Sequence, residues 1–141
     1  MEFYDVSRTI NAQPERIWAI LTDAAEYTSW DSGVERVEGA IALGSKIRVF
    51  SKVSPGRAFP VKVTELTAPS RMTWTGGMPL GLFKGVRTFR LSSKSDGVTS
   101  FHMREEFSGP LLSMIWKSMP DLTASFEQFA DGLKDASEVG N

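Results

Sequence analysis

One apolar stripe near the C-terminus constrains this chain more than any other feature. Leu111, Ile115, Met119, Leu122, Phe126, Phe129 and Leu133 recur at steps of three and four. That spacing places them on one face of an α-helix. Leu112 and Trp116 widen the apolar arc in the first half, while Lys117, Asp121, Glu127, Gln128, Asp131 and Lys134 fall mostly on the other side. Gly109 and Pro110 mark the start, since proline is tolerated in a first turn. Pro120 sits inside the pattern, removes a backbone donor and predicts a kink. A helix over 110–137, about 27 residues at about 1.5 Å each, would be about 40 Å long. It cannot bury its stripe alone, so the rest of the chain must supply a wide concave partner.

The preceding sequence reads as that partner. Residues 2–11 alternate, with Tyr4, Val6 and Ile10 on the inner side of a strand. Pro14 then opens a short helix, with Asn11 as a plausible cap, and a second short helix runs from Ala24 to Trp30. Six strands are predicted next, over 33–40, 44–53, 59–66, 71–75, 85–93 and 98–107. Between them stand Gly44, Pro55-Gly56, Pro69, Gly76-Gly77 and Asp96-Gly97, which are turn chemistry. Short strands joined by hairpin turns predict an antiparallel meander. The fold class is therefore α+β: a curved antiparallel sheet of six to seven strands wrapped on a long C-terminal helix, with two short helices after strand one.

At 141 residues one domain spanning 1–141 is expected. Sixteen basic against seventeen acidic residues give no basic field for nucleic acid. No cysteine is present, which excludes disulfides and thiol chemistry, and His102 is the single histidine, which excludes a multi-histidine metal centre. No metal or cofactor is expected. The sequence has no signal peptide and no long apolar run, so the default is a cytoplasmic protein without stable membrane insertion, a monomer or weak homodimer.

Four phrases carry a family resemblance: SRTINAQPERIWAILTD, the Tyr27 and Trp30 pair after it, VTELTAPSRMTWTG, and the hairpin GVRTFRLSSKSDGVTSFHMREEFSGPL leading into the long helix. With the order of elements they resemble the SRPBCC superfamily, the START-like and polyketide cyclase/dehydrase-like proteins of helix-grip fold. Where that family usually has Asn-Pro after the tryptophan, this chain has Asp31-Ser32. The resemblance implies a cavity between sheet and helix that holds a small hydrophobic molecule. It does not imply one reaction, because the fold hosts many functions.

The candidate ligand-binding residues are Trp18, Tyr27, Trp30, Trp74, Phe89, Phe101, Met103, Trp116, Met119 and Phe126. Flat and flexible side chains of this kind line irregular pockets, and equally fill a solid core. The loop GGMPLGLFKG places Met78, Leu80, Leu82 and Phe83 between glycines. A loop this apolar needs a partner, and a lid over the cavity mouth is one reading. If the last hairpin turns near Lys94 to Gly97 so that Leu91 pairs with Thr99, then Arg87 and Glu105 share the inner face, diagonal to one another. Glu105, Arg87 and His102 are the catalytic candidates, although alternation puts His102 on the outer face. Three functions remain open: binding of a lipid, polyketide or aromatic ligand, a polyketide cyclase/dehydratase-like enzyme, or a protein-interaction module using the groove and loop 76–85.

Overall fold

β1 (Glu2–Ile10) buries Val6 and Ile10 and exposes Phe3, Asp5, Ser7 and Thr9, as strict alternation requires. The fold is that of a computed structural model whose described residues are 1–139; Gly140 and Asn141, the end of the expected domain, lie outside them. α1 (Pro14–Leu21) follows, with proline in its first turn. Asn11 is not its cap. Gln13 holds that position without a side-chain bond, and the Asn11 main-chain N–H donates to Glu138 instead. The second helical segment is a single 3₁₀ turn, Ala24–Thr28. Its Tyr27 is fully buried, and the hydroxyl donates to the Leu21 carbonyl at 2.5 Å.

Six more strands follow: β2 (Val34–Glu38), β3 (Lys46–Ser51), β4 (Ala58–Thr67), β5 (Arg71–Gly77), β6 (Lys84–Ser95) and β7 (Val98–Ser108). With β1 they form one antiparallel sheet in the order β1-β7-β6-β5-β4-β3-β2. The β6–β7 hairpin is tighter than the sequence reading assumed. Ser95 pairs with Val98 across Asp96-Gly97, a bulge follows at Ser93, and Leu91 faces Phe101 rather than Thr99. The register thus moves by two residues. Side chains alternate with a period of two, so every residue keeps its face. Arg87 and Glu105 become direct partners instead of diagonal ones.

The expected long helix is two helices, α2 (Leu112–Ser118) and α3 (Thr123–Glu138). Pro120 breaks the helix rather than kinking it. Met119 before it is extended, at φ −74° and ψ 142°, the conformation that a following proline favours. Asp121 then accepts from the main-chain N–H and hydroxyl of Thr123, which steadies the new start, and these bonds hold its carboxyl below the usual range. α3 alone is about 24 Å long.

α3 packs on β1 and α1. Arg8 donates to Asp131 at 2.7 Å, and Arg16 of α1 donates to the carbonyls of Ser137 and Val139 at the end of α3. A cation at a helix C-terminus satisfies carbonyls that have no partner within the helix. Gly132 lets α3 approach the main chain at Asp31 so closely that a Cβ there would overlap its carbonyl oxygen. The core lies here. Phe129 meets Tyr27, Trp30, Phe89 and Phe101 at ring distances of 5.2–6.4 Å.

Candidate functional site

The antiparallel register orders the concave face into transverse rows. Met72, Phe89, Met103 and Val6 form one row, each essentially buried. The next row reads Val63, Trp74, Arg87, Glu105 and Tyr4. The row after that is Val61, Gly76, Gly85 and Phe107. From the first row to the third the sheet surface changes from packed apolar side chains, through an ion pair, to the bare backbone of two glycines.

The two glycines leave a hollow of about 540 Å³. Its floor is the second and third rows. One wall is the β3–β4 side of the sheet, with Val49, Val53, Ala58, Phe59 and Pro60, and the other is Ile115, Met119, Leu122 and Phe126 at the helix break. Pockets of about 300–1,000 Å³ lined by apolar groups with a few polar ones are the usual form of a small-molecule site. The break at Pro120 is what makes room. The first half of the apolar stripe turns away from the core, so Ile115 and Met119 stay half-buried while Phe126, Phe129 and Leu133 are sealed.

Arg87 and Glu105 stand in this floor. Arg87 Nε donates to Glu105 Oε1 at 2.6 Å, and the side chains are 22% and 17% exposed. The guanidinium carbon lies 4.8 Å from the centre of the Phe126 ring, a cation–π contact that holds its plane. Two charges this shielded from water are tolerable because they are paired. Trp74, across the ladder from Arg87, is 3% exposed, and its indole N–H has no protein acceptor.

Of the ligand-binding residues expected from sequence, Trp74, Met103, Met119 and Phe126 border the cleft. Tyr27, Phe89 and Phe101 are fully buried in the core, and Tyr27 in particular is no cleft group. Burial pushes its hydroxyl well above the ordinary tyrosine range. Trp18 packs against the core, and Trp30 meets Phe129 edge to face and Tyr27 at a tilt, away from the cleft. Trp116 lies behind the wall against Tyr4 and Phe107. The residues that sequence reasoning missed are Gly76, Gly85 and the β3–β4 wall. A glycine pair offers no apolar signal, but two glycines on adjacent inner positions of a sheet are themselves a sign of missing volume.

In the loop after β5, Met78 and Phe83 border the cleft, while Leu80 and Leu82 do not. Leu80 is 97% exposed, at a positive φ of 60°. The base of the loop is tied down: Met78 N–H donates to Phe83, and Leu111 N–H donates to Leu82. Gly109 has a positive φ and lies against the carbonyls of Gly81 and Leu82, where a Cβ would clash. His102 lies on the outer face, 3.4 Å from Asp5, and takes no part in the cleft. A second hollow, of about 530 Å³, is a broad groove on the outward side of β3–β6 with Lys46, Lys62 and Lys84 at its edges. It lacks a second wall, and so does not enclose a ligand as the cleft does.

Among the described residues no helix is long and apolar enough to cross a membrane. The profile of the family described as "Polyketide cyclase / dehydrase and lipid transport" matches residues 2–138. No curated protein sequence matches at a significant level. Solved structures share the fold. The hypothetical protein jhp0584 of Helicobacter pylori is 14% identical, with a TM-score of 0.76 over 97% of this chain and 88% of that one. A START superfamily protein of Mycobacterium smegmatis is 14% identical, with a TM-score of 0.71 over 99% of each chain. The dimeric Aha1 of Colwellia psychrerythraea is 22% identical, with a TM-score of 0.74 over 100% of this chain and 99% of that one.

Proposed function

The chain belongs to the polyketide cyclase / dehydrase and lipid transport family, and from that premise we propose that its cleft binds a small hydrophobic molecule of lipid, polyketide or aromatic type. The observation that carries this reading is the hollow of about 540 Å³ between the glycine row and the broken helix. Its driving force is desolvation. Removing about 200–300 Å² of apolar ligand surface from water at about 25 cal/mol per Å² contributes about 5–7 kcal/mol before association costs. Met78 and Phe83 form the rim, and the exposed Leu80 stands in the loop between them.

Titration with N-phenyl-1-naphthylamine, which brightens in apolar surroundings, tests the reading. Saturable one-to-one enhancement is expected, with loss of at least about tenfold in affinity in Met119→Trp, which fills the hollow, as about 1.4 kcal/mol of lost contact would give. Absence of saturable binding overturns it. A second reading, a cyclase- or dehydratase-type reaction, draws on the placement of Glu105 and Arg87 in the cleft floor, where one acid or base beside a folded substrate is sufficient. Mass spectrometry after incubation with a poly-β-ketone separates the two. Loss of water that depends on Glu105 marks an enzyme, and unchanged bound material marks a carrier.

A further inference from the structure

The polar row in the cleft has an unbalanced hydrogen-bond inventory. Arg87 offers five N–H donors, and among the described residues the one that is paired is Nε, to Glu105. The Trp74 indole N–H, next to it in the ladder, is buried without an acceptor. The Trp74 donor carries the cost of burial without a partner, while the other Arg87 donors, on a side chain 22% exposed, are open to an incoming acceptor. The electrical account is already closed: the guanidinium and the Glu105 carboxylate are 2.6 Å apart and cancel. The row therefore holds more unpaired donors than acceptors, and its charges are balanced.

A carboxylate placed here would bring a second anion beside Glu105, in a site where both partners of the pair are largely shielded from solvent. A ketone, ester or amide oxygen supplies the missing acceptor and adds no charge. We propose that the Trp74–Arg87–Glu105 row selects an uncharged, carbonyl-bearing apolar ligand over a carboxylate of similar size. This rests on the cleft being a ligand site. It further excludes simple fatty-acid anions as the preferred occupants.

Calorimetric titration of the full chain with three bodies of one shape tests it: 2-ethylnaphthalene, 2-acetylnaphthalene and 2-naphthoate. The ketone is expected to bind about tenfold or more tighter than the hydrocarbon, the gain typical of a hydrogen bond to a charged donor. The naphthoate is expected to bind no tighter than the hydrocarbon. In Glu105→Gln the order of the two oxygenated probes reverses, because the guanidinium is then uncompensated. In Arg87→Met the ratio of ketone to hydrocarbon affinity falls towards one. Circular dichroism melts establish that each variant is folded, and the series on the unaltered chain stands without them. Equal binding of ketone and hydrocarbon, tighter binding of naphthoate by the unaltered chain, or no reversal in Glu105→Gln overturns the selectivity while the cleft reading survives. Failure of all three probes to bind overturns both.

Discussion

At Phe129 four rings close around a fifth, whereas two rows farther along the same sheet Gly76 and Gly85 leave the backbone bare. Both regions use the same alternation and the same strands. They differ in what fills the inward positions and in which half of the broken helix covers them. The closed end has sealed rings, Gly132 against Asp31 and Arg16 on the end of α3. The open end has an ion pair, two glycines and half-buried side chains. Stability is concentrated where volume is filled, and ligand capacity where it is missing. A chain so divided can alter its ligand without unfolding.

The largest effect that would sharpen this contrast is expected at the closed end. Phe129→Ala should cost about 3–5 kcal/mol of stability in urea unfolding, the range for deleting a buried phenylalanine. Gly132→Ala should follow, at about 1–3 kcal/mol, since helix propensity favours alanine but the Asp31 main chain has no room for a methyl. At the open end Met119→Ala should cost about 1 kcal/mol or less, because the side chain already borders a void. A Met119→Ala loss equal to that of Phe129→Ala would break the contrast.

The smallest effect concerns acid. Arg8 holds the Asp131 carboxyl below its usual range, and the Asn11 N–H with Lys134 does the same for Glu138. A group whose pKa is lowered in the folded state adds stability above its unfolded value and loses it as pH falls through the folded one. Both are well solvated and anchor α3 at the closed end. Unfolding midpoints should therefore decline below about pH 4.5, starting from ordinary carboxylate values. The decline should be shallower in Asp131→Asn, and an identical acid limb in that variant would remove the assignment.

Much of this architecture could be read from residue order, and the reasons differ element by element. Strand faces were legible because alternation survives error: the β6–β7 register was misjudged by two residues, yet Arg87 and Glu105 still shared the inner face. The stripe from Leu111 to Leu133 was legible as helix, but the consequence of Pro120 was underestimated. A kink keeps a stripe whole, and a break with Met119 extended divides it between core and cleft. The site was less legible. An aromatic residue looks the same in sequence whether it fills a core, as Phe101 does, or borders a hollow, as Trp74 does. What separates them is the side chain across the ladder, and glycine announces itself only by omission.

That omission reaches through the sheet. At Gly76 the cleft and the lysine-edged groove on the other side share one stretch of main chain as their common boundary. A single peptide layer is a thin partition. The side chains of Lys46, Lys62 and Lys84 stand on its far side, exposed to water. A side chain added at Gly76 would therefore disturb both hollows at once, since its Cβ would meet the Pro60 carbonyl and the Val61 side chain at 2.8 Å.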